Sequence, residues 1–157
     1  MWKKIKPYII SIAIALAVGG LSALLTRGNM DIYAEIQKPA LAPPGWLFPV
    51  VWSILYVLMG ISSAMIYVKS GLHSADNQNG LAVYALSLVV NFFWSIIFFN
   101  LRAFWVSFIW LILLWILILA TILRYRKTSK TAAYLQIPYL IWVTFAGYLN
   151  YMIAVLN

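Results

Sequence analysis

The sequence predicts an all-α integral membrane protein, a five-transmembrane-helix bundle forming a single membrane domain over residues 1–157. Three observations carry that expectation. The chain is 65% hydrophobic and 9% charged, against about 45–50% and 25% in soluble domains, so lipid must be part of its solvent. The apolar residues fall in five continuous runs near 7–26, 46–68, 81–100, 104–124 and 132–154. Each is long enough to cross a hydrocarbon core of about 30 Å at roughly 1.5 Å per residue. Finally, the basic residues cluster at the ends of these runs, which is how topogenic charge is placed. In lipid such runs must be helical, because an open sheet edge leaves backbone groups unsatisfied. Continuous runs without polar–apolar alternation exclude an outer-membrane barrel.

The first run follows Met1-Trp-Lys-Lys-Ile-Lys and reaches Gly19-Gly20-Leu21-Ser22-Ala23, a pattern also found in secretory signal peptides. Four further spans behind it favour an uncleaved first membrane helix. Ala15, Gly19 and Ala23 stand at four-residue spacing, which lets two backbones approach closely in lipid. Packing inside the bundle is the expected use, ahead of a dimer seam. Gly60 and Ala64 in the second run form a similar, weaker pair.

The connection 27–45 is the longest. Asp31 and Glu35, four apart with Ile32, Tyr33 and Ile36 around them, suit a short surface helix before the Pro39 stop. An ordered loop beside membrane helices makes a lid over a cavity. The connection from Lys69 to Gly80 reads as a plain solvated loop. The remaining two are short, so the third, fourth and fifth spans should be sequential antiparallel neighbours. No internal repeat marks the chain as a transporter with duplicated halves.

With the amino terminus inside, Lys3, Lys4, Lys6, Lys69, Arg124, Arg126, Lys127 and Lys130 lie on the inner side, and Arg27, Lys38 and Arg102 on the outer. Eight against three favours a multi-pass protein of the cell membrane with amino terminus in and carboxy terminus out. The net charge of +8 is thereby a membrane-topology signal, and nucleic acid is not an expected partner. The absence of cysteine excludes disulfides and thiolate chemistry. Asp31, Glu35 and Asp76 all fall in expected loops, and no Lys or Arg lies mid-span, which argues against an ion-coupled transporter. No paired carboxylate, triad or metal cluster is visible, so no metal and no resident cofactor is expected. His73, the single histidine, reads as a solvated loop residue, with an axial haem ligand the remote alternative.

What the spans contain is aromatic surface, with eight tryptophans. Trp2, Trp46 and Trp105 fall near span ends, where interface anchors form. Trp52, Trp94, Trp110, Trp115 and Trp142 lie deeper, and each needs lipid, a neighbour or a ligand to cover it. Helical rise puts Trp52 and Trp94 about 9 Å below the outer helix ends, Ala146 about 12 Å, Asn91 about 13 Å and Trp142 about 18 Å. Asn91 and Trp94 share a face, as do Trp142, Phe145 and Ala146. Asn91 and Asn150 must find partners, on another helix or on a ligand. Such a lining would suit a large, flat, apolar small molecule.

Several segments are similar to one known family. Gln37-Lys38-Pro39, Pro43-Pro44-Gly45-Trp46, Phe48-Pro49-Val50-Val51-Trp52, Leu55-Tyr56 and Met59-Gly60 resemble the translocator protein family, whose bacterial members are called tryptophan-rich sensory proteins. Asn91 with Trp94 and Phe98-Phe99 resembles its third-helix motif. Pro138-Tyr139-Leu140, Trp142, Phe145 and Leu149-Asn150-Tyr151 resembles the fifth. The resemblance covers essentially the whole chain in order. It implies a five-helix bundle, commonly a homodimer, that binds porphyrins and benzodiazepine- or isoquinoline-type ligands. By motif match the ligand would be lined by Tyr33 and Pro43 of the first loop, Trp52, Asn91 and Trp94, and Trp142, Ala146 and Leu149, with Trp105 as the fourth-helix candidate. The animal members carry a proposed cholesterol motif in which a basic residue follows the tyrosine. Tyr151 is followed by Met152 to Asn157 without Lys or Arg, so high-affinity cholesterol binding is not expected.

Three functions are compatible with this reading. The first is a binding and sensing protein for tetrapyrroles such as protoporphyrin IX, the ring stacking on Trp52 and Trp142 and its propionates reaching Arg27 or Lys38. The second is a light- and oxygen-dependent porphyrin-degrading enzyme, with Trp52 and Trp142 as the reactive residues. The third is a passive porphyrin or sterol transporter.

Overall fold

The computed structural model describes residues 1–70 and 73–157. Five long helices form the bundle: α1 (Trp2–Thr26), α3 (Leu47–Ser70), α4 (Ala75–Ser95), α5 (Phe104–Arg126) and α6 (Lys130–Leu156). A 3₁₀ turn at Arg27–Asn29 and the one-turn helix α2 (Ile32–Glu35) lie in the first connection. That matches the short surface helix expected there. The chain is a multi-pass membrane protein, and each long helix is long and apolar enough to cross a bilayer. Ile9, Ile10, Ile14 and Leu21 on α1, and Ile109, Ile112 and Ile116 on α5, stay exposed to lipid.

The helices run longer than their apolar stretches. α1 begins at Trp2, so Lys3, Lys4 and Lys6 extend its first turns toward water. α4 begins at Ala75, six residues before the expected start. Ser74 caps it by accepting from the Asn77 N–H, and Asp76 lies in the first turn, where the helix dipole favours an acid. The second connection is therefore not a plain solvated loop. Asn77 is buried, donates to the Ile66 carbonyl at 3.1 Å and accepts from Thr128 Oγ1 at 2.6 Å. Gly71 and Leu72 of that connection lie outside the described residues. His73 is exposed.

Going round the bundle the helices follow the order α1, α3, α6, α5, α4, and α4 closes back on α1. α4, α5 and α6 are sequential neighbours, as their short connections require. Small residues decide how close α1 and α3 come. A Cβ on Gly60 would stand 2.5 Å from the Ile12 Cα, and one on Gly19 would stand 2.3 Å from the Tyr56 ring. Ala15 is fully buried in the same seam. Ala15 and Gly19 thus serve packing within the bundle, whereas Ala23 stays exposed. Apolar burial gives little drive between helices in lipid, so such close approach and interhelical hydrogen bonds hold the bundle.

α4 ends in a π turn, Ile96–Asn100, where the Leu101 N–H reaches back five residues to the Ile96 carbonyl at 3.1 Å. Arg102 follows with φ 51°, in the left-handed region. Asn100 fastens this corner to α1, donating to the Leu25 carbonyl at 3.2 Å and accepting from Asn29 at 2.8 Å.

Candidate functional site

At the end of the bundle covered by the Arg27–Gly45 connection, α1, α3, α4 and α6 part around a cavity of about 420 Å³. Compact ligand sites run from about 300 to 1,000 Å³ and are mostly apolar with a few placed polar groups. Among the described residues no acidic or basic side chain lines it.

The α3 wall carries Phe48, Trp52 and Tyr56. Pro49 sits in the first turn of α3, where its missing N–H would have had no helical partner. Trp52 lies 5.7 Å from the Tyr56 ring and 6.1 Å edge-on from Tyr139, centroid to centroid. From α6 come Trp142, Ala146, Leu149, Asn150 and Ile153, spaced so that they share one helical face. Trp142 packs edge-on to Phe48 at 5.8 Å, and Phe48 in turn to Tyr33 at 5.1 Å. The α4 wall holds Asn91, Trp94, Phe98 and Phe99. Trp94 stacks on Phe98 at 5.3 Å, which the π turn carries round toward the cavity.

The buried amides have found partners. Asn91 Nδ2 donates to the Tyr139 hydroxyl at 2.8 Å, and Trp94 Nε1 donates to Asn150 Oδ1 at 3.0 Å. Asn150 donates onward to the Phe104 carbonyl at 2.9 Å. Trp110 and Trp115, also deep in the sequence reading, donate to the Val90 carbonyl and to Thr144 Oγ1. Trp142 differs. Its indole N–H is buried and has no hydrogen-bond partner among the described residues.

The lid is tied down at several points. The Tyr33 hydroxyl donates to the Pro43 carbonyl at 2.6 Å. Partial burial pushes the Tyr33 hydroxyl above its ordinary pKa. Lys38 Nζ donates to the Tyr33 carbonyl at 2.6 Å and the Ile36 carbonyl at 3.3 Å, and lies over the Tyr33 ring. Asn157, the C-cap residue of α6, pairs with both backbone groups of Gln37, at 3.1 and 2.9 Å.

Seven of the nine residues expected to share a site, Tyr33, Trp52, Asn91, Trp94, Trp142, Ala146 and Leu149, line this cavity. Pro43 stands behind Tyr33 as its hydrogen-bond acceptor. Trp105 is a correction. It is 52% exposed, with its ring edge-on to Tyr151, because the ring order sets α5 behind α4 and α6, away from the cavity. Lys38, expected as a propionate partner, has its ammonium occupied by loop carbonyls, whereas Arg27 stays exposed. The α1 wall, with Gly19, Gly20, Ser22, Ala23 and Thr26, was missed. Its trace in the sequence is Ser22 and Thr26, two polar residues four apart in an otherwise apolar run, now linked by a 2.9 Å bond from Thr26 Oγ1 to the Ser22 carbonyl.

A sequence model of the TspO/MBR family matches residues 11–156. The tryptophan-rich protein TspO of Chlorobaculum tepidum is 37% identical over 158 aligned positions, covering 100% of this chain and 99% of that protein. The bovine translocator protein is 37% identical, covering 85% of this chain and 79% of its own length. The tryptophan-rich sensory protein of Cereibacter sphaeroides is 32% identical, covering 80% and 76%.

Proposed function

This chain belongs to the TspO/MBR family, and from that premise we propose that it is a membrane sensory protein whose cavity binds a flat tetrapyrrole such as protoporphyrin IX. Benzodiazepine- and isoquinoline-type molecules would compete for the same space. The observation that carries the reading is the cavity wall made by Trp52, Trp94 and Trp142. Aromatic faces stack on a planar ring. Arg27, exposed at the end of α1, is the cation available to a propionate. Orientation and assembly follow the sequence reading: amino terminus inside and carboxy terminus outside in the cell membrane, as the basic residues favour, and a homodimer, as the family resemblance implies. Ala15 and Gly19 are used inside the bundle, so the dimer seam lies on another surface.

Titration of protoporphyrin IX in the dark, read by tryptophan quenching, tests the reading. The parent should quench at micromolar ligand. Trp142→Ala removes one stacking face from the wall, so affinity should fall by about two- to tenfold. No quenching by the parent sinks the proposal.

A second reading is supported by the rings that surround the two tryptophans. Trp52 touches Tyr56 and Tyr139, and Trp142 touches Phe48 and Phe145, all within about 6 Å. Trp52 and Trp142 would exchange an electron with the photoexcited porphyrin while molecular oxygen serves as the oxidant. Illumination in air should then bleach bound porphyrin faster than detergent with free tryptophan does. Trp52→Phe and Trp142→Phe variants that bind but bleach like the parent would leave binding alone standing.

A further inference from the structure

The cavity has two borders of different character. Over its end lies the loop, held by the Tyr33–Pro43 bond, by Lys38 on two carbonyls and by the double Asn157–Gln37 pairing. Along its side, between α1 and α3, the border is open. Leu16, Gly20 and Ala23 on α1 and Pro49 and Ser53 on α3 line the cavity and are nevertheless exposed. Val50 and Ile54, their neighbours on α3, and Leu21 and Leu24 on α1 face lipid.

The seam explains the gap. α1 and α3 are pinned where Gly60 lies against Ile12 and Gly19 against Tyr56. Nearer the loop, the residues of both helices border the hollow. At Gly20 a Cβ would meet nothing within 4 Å. Ser53 keeps its hydroxyl on its own helix, donating to the Pro49 carbonyl at 2.7 Å, and among the described residues no hydrogen bond crosses the opening.

We infer that ligand enters and leaves the cavity sideways from the bilayer, through a window bounded by Leu16, Gly20 and Ala23 on one side and Pro49 and Ser53 on the other. The loop latched by Asn157 acts as a fixed roof. The ligand class is a flat, largely apolar molecule already dissolved in the membrane, and in this the inference rests on the ligand reading above. A solute arriving through lipid needs no opening of the hydrogen-bonded loop.

Two measurements test the window, one of them free of the ligand assignment. In vesicles loaded with protoporphyrin IX, stopped-flow quenching should show association and dissociation slowing together in Gly20→Phe, by about tenfold or more. Ser53→Leu, on the opposite rim, should do the same, and it decides the matter if Gly20→Phe does not fold. Asn157→Ala, which unlatches the roof, should exchange at the parental rate. Parental rates in both rim variants together with faster exchange in Asn157→Ala overturn the window and route the ligand past the loop. In vesicles of phosphatidylcholine with brominated acyl chains and no porphyrin, the Trp52 contribution, taken as parent minus Trp52→Phe, should be quenched and should recover in Gly20→Phe. Unquenched Trp52 overturns the window by itself. A parent that ignores porphyrin while Trp52 is quenched by lipid and recovers in Gly20→Phe sinks the ligand reading and sustains the window.

Discussion

The two ends of the bundle are built from the same kinds of residue and finish in opposite states. At the end away from the Arg27–Gly45 loop, buried polar side chains cross-link the helices. Ser62 donates to the Ala132 carbonyl at 2.7 Å and accepts from Gln136 at 3.2 Å, Ser63 meets the Tyr125 hydroxyl at 2.7 Å, and Asn77 joins α3 to Thr128. At the loop end the helices part and aromatic rings line a hollow. In lipid, where apolar burial contributes little between helices, stability must come from close packing and interhelical bonds. The cross-linked end supplies these. The hollow end can then keep its space without the bundle falling apart.

The contrast is broken most severely at the seam on which both halves depend. Gly60→Val places a side chain against the backbone of Ile12, with the first carbon 2.5 Å from its Cα. Backbone cannot give way as a side-chain tip can, so α1 must move off α3, at about 1–3 kcal/mol or more. Thermal unfolding in detergent, followed by far-ultraviolet circular dichroism, should show a markedly lower midpoint. A parental midpoint would mean that the two helices are not in contact there.

The same kind of enlargement in the hollow half should act with the other sign. Ala146 lines the cavity from α6 and is close to fully buried. Ala146→Phe fills space that the protein leaves empty, so the unfolding midpoint should hold or rise, by on the order of 1 kcal/mol at most. Porphyrin quenching should disappear. Loss of stability alongside loss of binding would place Ala146 in a packed wall and not at a cavity.

Much of this was legible in the sequence because lipid imposes a simple rule. A run of apolar residues near 104–124 can only be a spanning helix, and the helix Phe104–Arg126 follows it closely. The start of α4 was not legible, since Asp76, Asn77, Gln78 and Asn79 carry no apolar signal and their helix projects beyond the apolar run. Depth was legible from helical rise, which brought Trp52, Asn91, Trp94 and Trp142 into the same outer half of the membrane. Rotation and ring order were not. Trp105 lies at the loop end like the others, yet α5 stands on the far side of α4 and α6 and turns it outward. The wall from α1 was hidden for the opposite reason. Glycine and alanine line a cavity by being small, and nothing in their chemistry announces it.

The smallest expected effect sharpens the contrast inside the loop end itself, between the roof and the helices beneath it. Tyr33→Phe keeps the ring against Phe48 and removes only the hydroxyl bond to the Pro43 carbonyl. One partly buried hydrogen bond is worth about 0.5–1.5 kcal/mol, so loop amides should exchange with deuterium about two- to tenfold faster. Amides in the middle of α3 and α6 should not change. The bond also fixes a pH dependence. Burial raises the Tyr33 pKa, so the folded state holds the phenolic proton more tightly than the unfolded chain. Stability from a raised group is complete below the unfolded value, about 10 for tyrosine, and is lost as pH climbs through the folded one. The ratio of exchange rates between Tyr33→Phe and parent should therefore stay constant from about pH 6 to 9 and shrink only on the alkaline side of the ordinary tyrosine range. A ratio that fades below that range would show that a different group, and not the Tyr33 hydroxyl, holds the roof.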